Sequence, residues 1–99
     1  MTRLNPIQRR AQILAAAIAI AKDGNLYRMT LEQVAERADI STATVIHYFR
    51  SMQGVRDAVV RDSIRQEYLP IIAQAVVGQD PLMSEVGPSL RQRAVNASV

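Results

Sequence analysis

The sequence predicts an all-α protein: a three-helix helix-turn-helix head, then a long fourth helix and a short C-terminal helix used for dimerisation. Three observations predict it. The stretch Thr30–Phe49, TLEQVAERADISTATVIHYF, holds two capped helical segments on either side of Asp39. Apolar residues recur at helical rather than alternating spacing, as in Ile7, Ala11, Leu14, Ile18 and Ala21. Asn5-Pro6 and Asp80-Pro81 each pair a capping residue with a Pro at the first helical position.

In order, the first helix starts at Asn5-Pro6 and is stopped by Asp23-Gly24-Asn25. Leu26–Met29 links it to the second, which Thr30 caps with Gln33 three positions on to close the box. Leu31, Val34 and Ala35 give that helix its apolar face. Asp39 sits at the turn, and Asp tolerates a left-handed backbone better than most residues. Ser41 caps the third helix, TATVIHYF, with Val45 and Phe49 on one side. Ser51 caps a fourth helix from about Met52 towards Leu69, where Pro70 is expected to end or kink it. A weak fifth helix opens at Asp80-Pro81 and is interrupted by Gly87-Pro88, and the closing AVNASV is expected to fray. That makes five helices and no strand. Residues 1–50 form the head and 51–99 the helical dimerisation segment of one continuous domain.

The third helix carries the most chemical information. Away from Val45 and Phe49 it presents Thr42, Ala43, Thr44 and His47, all small or polar. Such a face can enter a DNA major groove, where Ser and Thr meet base edges and a Thr methyl meets the thymine methyl. Read from the turn chemistry alone, the same two helices could equally be a hairpin in an ordinary bundle.

A family pattern separates the two readings. Arg10, Ile13, Leu14, Ala16 and Ala17 are followed by Gly24 and Thr30, and then by Val34, Ala35, Ala38, Ile40, Ser41, Thr44, Val45, Tyr48 and Phe49 in register. From Arg9 to about Val59 the chain resembles the DNA-binding domain of TetR-family (tetracycline-repressor-like) transcriptional regulators. Asp39 replaces the usual turn Gly, Ala43 a Gly before Thr44, and Ile46 a Tyr that often touches a phosphate. Met52 and Gln53 stand where Lys and Glu are usual, so these departures bear on two phosphate contacts typical of the family. The resemblance implies a role for Tyr48 on the DNA backbone, against which stands filling core space with Phe49. It also gives Thr30, by hydroxyl or backbone N–H, a phosphate at a helix N-terminus; its other role is as a cap alone. His47 is either a surface histidine or a donor in the groove beside Thr44. Arg28, Thr30, Ser41, Thr42, Ala43, Thr44, His47 and Tyr48 are accordingly the candidate DNA-binding residues.

Charge supports a nucleic-acid partner. Residues 1–50 carry seven basic and four acidic side chains, and residues 51–99 five of each, so the whole net charge of +3 lies in the head. All the basic residues but Lys22 are Arg, the better bidentate partner for phosphate, although a genome-wide Arg bias would give the same ratio. No cysteine is present, so disulfides and thiolate metal sites are excluded. His47 is the sole histidine and the four glycines form no phosphate-binding loop, so neither catalysis nor a cofactor is expected. No apolar run approaches a membrane span and no signal peptide opens the chain, which places the protein in the cytoplasm without membrane association.

Two apolar stripes follow the head. One is Met52, Val55 and Val59; the other is Val60, Ile64, Tyr68 and Ile71 or Ile72. The first would cover the head. The second would be exposed in so short a chain unless the fifth helix folded back over it, and so is expected to form a homodimer interface. Some thirty residues after the fourth helix are too few to wrap a drug-sized pocket, so no small-molecule effector is expected. Members of the family are typically about twice this length, so the chain is a minimal, inducer-independent member or a truncated one. The sequence therefore reads as a repressor binding a palindromic operator as a homodimer on double-stranded DNA. The competing reading is a protein-interaction module that binds another regulator through its apolar stripe.

Overall fold

The structure, a computed structural model, describes residues 4–97; Arg3, counted in the head's charge, and the last two residues of AVNASV lie outside it. Among the described residues there are six α-helices: α1 (Pro6–Ile20), α2 (Leu31–Ala38), α3 (Thr42–Phe49), α4 (Met52–Gln66), α5 (Leu69–Val77) and α6 (Pro88–Ala97), with a 3₁₀ turn at Pro81–Glu85. No strand occurs among them.

The caps read from the sequence are in place. Asn5 accepts from the Gln8 N–H at 2.8 Å while Gln8 Oε1 accepts from the Asn5 N–H at 3.1 Å, so two orphan donors of the α1 terminus are satisfied together. Thr30 and Gln33 do the same for α2 at 3.2 and 3.0 Å. Asn25 and Asp23 follow the end of α1, and Gly24 between them takes φ +90°, a conformation that costs glycine nothing. Asp39 takes φ 58°, and the Ile40 N–H reaches back to the Ala35 carbonyl at 3.0 Å, closing a Schellman turn on a non-glycine residue.

The head closes around Ile13, Ala17, Leu26, Val34 and Val45, none of which retains any exposure. Each large aliphatic side chain so buried contributes about 1.5–3 kcal/mol. Gln12 Nε2 donates to the Ala38 carbonyl at 3.1 Å and so ties α1 to the end of α2. Val55 and Val59 on α4 join the same core, as the first stripe requires.

The C-terminal half corrects the sequence reading in three places. α4 ends at Gln66, three residues before Leu69, because Glu67 turns left-handed at φ 54° and the Tyr68 N–H bonds the Ser63 carbonyl at 2.8 Å. Pro70 then lies in the first turn of α5, where its missing N–H is an orphan in any case, so it opens a helix instead of ending one. The Asp80-Pro81 signature starts the 3₁₀ turn, with Asp80 Oδ1 accepting from the Leu82 N–H at 3.0 Å; the final helix begins at Pro88. AVNASV is helical as far as Ala97.

The reversal at Glu67 lays α5 back on α4, and α6 packs on α5. Val60, Ile71 and Ile72 are fully buried within the single chain, and Ile64 packs against the core; only Tyr68, 38% exposed, lies at the surface. The second stripe is therefore interior. It forms neither an exposed dimer face nor the surface that an interaction module would need.

Candidate nucleic-acid interface

Two short helices and the linker before them bring the candidate residues together. Ser41 Oγ accepts from the Thr44 N–H at 3.1 Å, capping α3, and lies 2.9 Å from Thr44 Oγ1. The cap therefore also holds the Thr44 hydroxyl. Val45 and Phe49 anchor the inner side of α3 in the core, as the sequence predicted.

The outward face differs in detail from the predicted one. Ala43, Ile46 and His47 are exposed at i, i+3 and i+4, one stripe of the helix, and Arg50 is exposed just past its end. Thr42, Thr44 and Tyr48 are half-buried at its edges. Ile46 is 43% exposed, which removes a packing role and leaves it a methyl surface beside His47. Ile46 and Arg50 were missed as candidates, though counting by helical period from Ala43 points to Ile46. The His47 and Tyr48 rings meet edge to face, centroids 5.1 Å apart at 89°, so each restricts the other. Tyr48 thus packs partly on the core while it remains half-exposed.

Arg28 and Thr30 are exposed at the start of α2. The Thr30 N–H is occupied by Gln33, so only its hydroxyl hydrogen is available to a phosphate. Glu32, exposed in the first turn of α2, suits the helix dipole but opposes an anion there.

What holds this linker in place was not legible in the sequence. Gln74 on α5 donates to the Ala21 carbonyl at 2.6 Å and accepts from the Leu26 N–H at 3.0 Å. The Tyr27 hydroxyl donates to Asp80 Oδ2 at 3.0 Å. Burial, and then this bond to a carboxylate, push the Tyr27 pKa up to about 12, so the phenol stays neutral. Arg28 and Thr30 are thus positioned by residues some fifty places further along the chain.

Beside the linker lies an open cleft of about 510 Å³, lined mainly by Lys22, Tyr27, Leu69, Ala73, Gln74 and Val77. It has the volume of a small-molecule site but not the enclosing walls. Among the described residues no helix is long and apolar enough to cross a membrane.

Two capped helices joined at Asp39 and packed on α1 and α4, with a small outward face on the second helix, define a helix-turn-helix protein. The family model described as "Bacterial regulatory proteins, tetR family" matches residues 13–59, so the chain carries a TetR-like DNA-binding domain over just under half of its length. It is 30% identical over 92 residues to "HTH-type transcriptional regulator BetI" of Yersinia pestis (strain Pestoides F), a match covering 93% of this chain and 43% of that protein. It is 33% identical over 90 residues to the regulator of the same description from Burkholderia mallei (strain NCTC 10229), covering 91% and 43%. The chain thus spans under half the length of these relatives. No solved structure matches it significantly.

Proposed function

We propose that this chain is a transcriptional regulator that binds a palindromic operator as a homodimer and represses from it, in the cytoplasm. The observation that carries the proposal is the outward stripe of α3, with Ala43, Ile46 and His47 exposed and Thr42 and Thr44 at its edges, on a helix fixed by a cap and two core anchors. A face of that size and chemistry suits a major groove, and the excess positive charge of residues 1–50 suits the phosphates on either side. Arg28, the Thr30 hydroxyl and Tyr48 are assigned to the backbone; Ser41 orders the start of the reading helix.

Dimerisation is inferred from the two-fold symmetry of such operators, since the second stripe is interior. The remaining apolar surface on α5, where Val77 is 79% exposed, is the area available to a second copy. The openness of the cleft beside Tyr27 and Gln74 supports a regulator that works without an enclosed inducer. The descriptions of the relatives as HTH-type transcriptional regulators support this reading over one without DNA.

Selection of bound fragments from genomic DNA, followed by mobility shifts over a range of salt, tests it. With roughly six phosphates neutralised, log K should fall against log salt with a slope of about −5. Binding that is flat from low to physiological salt would contradict the proposal.

A further inference from the structure

A second concave site lies between α1 and α4, beside the C-terminal end of α3. It encloses about 260 Å³ and is lined by Arg10, Arg50, Arg61 and Arg65, with Leu14, Tyr48 and Phe49 among its walls. On α4, Gly54, Ala58, Arg61 and Arg65 share one face, so two small residues leave the hollow and two arginines close its far end.

The charges in the notch are largely uncompensated. Asp62 is the only carboxylate lining it, and Arg65 and Gln66 already engage both of its oxygens. Among the described residues Arg10, Arg50 and Arg61 have no ion-pair partner. Arg10 is held instead by its guanidinium, 4.7 Å from the centroid of the Phe49 ring. Arg50 takes φ 74°, a strained value for a side chain with a Cβ, and its N–H is fixed on the Ile46 carbonyl at 2.7 Å. Three unpaired guanidinium groups around one hollow repel one another, and a multivalent oxyanion is the chemistry that relieves them.

We propose that this notch binds a phosphate group. Arg61 lies about 14 Å along α4 from Met52, at 1.5 Å per residue, well above the turn where α4 meets the reading helix. That distance favours a free phosphorylated small molecule over a DNA backbone phosphate, the other source of the same chemistry. An occupant would rest against Tyr48 and Phe49, at the end of α3, and so bear on the posture of the reading helix. The inference concerns the chain alone and does not depend on α3 reading DNA.

The test is titration of the full chain with inorganic pyrophosphate and, separately, phenyl phosphate at constant ionic strength, followed by amide chemical shifts. Saturable shifts at Tyr48–Gly54 and around Arg61 are expected. Arg61→Gln and Arg10→Gln should each weaken binding at least tenfold, and Arg61→Lys should restore part of it. Arg93→Gln, which removes an exposed arginine paired with Glu67 elsewhere, should change nothing. Arg61 is exposed, so its variants should melt like the wild type. Shifts that never saturate, or an equal loss in Arg93→Gln, would overturn the site as general counter-ion binding. Adding duplex DNA identifies the source: pyrophosphate displaced by DNA assigns the notch to the backbone, and simultaneous occupancy assigns it to a free molecule.

Discussion

Gly54 lies so close to Phe49 that a Cβ on it would fall 1.9 Å from the Phe49 carbonyl oxygen. The first turn of α4 is thus seated directly on the end of α3, and the absence of a side chain at position 54 sets how far Phe49 can sink into the core. By helix propensity alone, a glycine in the first turn of α4 counts only as a small cost. It is better understood as the contact that fixes the angle between the reading helix and the long helix behind it.

Gly54→Ala should therefore destabilise the protein despite alanine's higher helix propensity. The obstructing atom is main chain, so relief requires moving one helix against the other. A net loss of about 2 kcal/mol or more is expected by urea unfolding, the overpacking cost exceeding the propensity gain. A stabilised Gly54→Ala protein would show that α3 and α4 do not meet this way.

Gln74→Leu should cost about 1–3 kcal/mol, because the Leu26 N–H is left buried without an acceptor. Leu26 opens the segment that leads to Arg28 and Thr30. The substitution should therefore also reduce DNA affinity at temperatures where the protein remains folded. Unchanged affinity in a folded Gln74→Leu protein would remove the linker clamp from the account.

These two contacts show where legibility in the sequence ended. The helix-turn-helix was readable because each signal was local: Asn5 with Gln8, Thr30 with Gln33, Ser41 three residues before the N–H it caps. Val34, Val45 and Phe49 were recognisable as core from spacing alone. The C-terminal half was misread because its turns fall on Glu67 and Gln79, both at φ 54°, where a glycine would have marked the helix end. A stripe such as Val60, Ile64 and Ile72 also looks the same whether its cover is another copy or the next helix of the same chain. Within the site, Gln74 and Asp80 act on residues about fifty places away, a pairing that no periodicity encodes.

Tyr27 makes a prediction in alkali. Its pKa is raised from 10.0 to about 12 in the folded chain, so its contribution to stability is complete below pH 10. Between pH 10 and 12 the unfolded chain releases the proton first, and that contribution is lost as pH rises. The urea midpoint should therefore fall through this window in the wild type and less steeply in Tyr27→Phe. Identical profiles would mean that Tyr27 is neither desolvated nor bonded to Asp80 in the folded chain.

The state of assembly can be separated from folding. Val77 is 79% exposed, so Val77→Glu should leave the melting of a monomer unchanged while weakening association of the chain. Ile64→Glu, by contrast, places a carboxylate against the core and should unfold the chain. Sedimentation at micromolar concentration distinguishes them. A Val77→Glu protein that dimerises like the wild type would move the interface off α5.

The central claim is that α3 reads DNA, and its most direct test is the ratio of affinities for a selected operator and for random DNA. The double substitution Thr44→Ala with His47→Ala should lower operator affinity by roughly 1–3 kcal/mol and affinity for random DNA much less, so the ratio contracts. Arg28→Ala provides the contrast: a phosphate contact should weaken both duplexes alike and preserve the ratio. A double variant that keeps the wild-type preference for operator over random DNA would contradict the assignment of α3 as the reading helix.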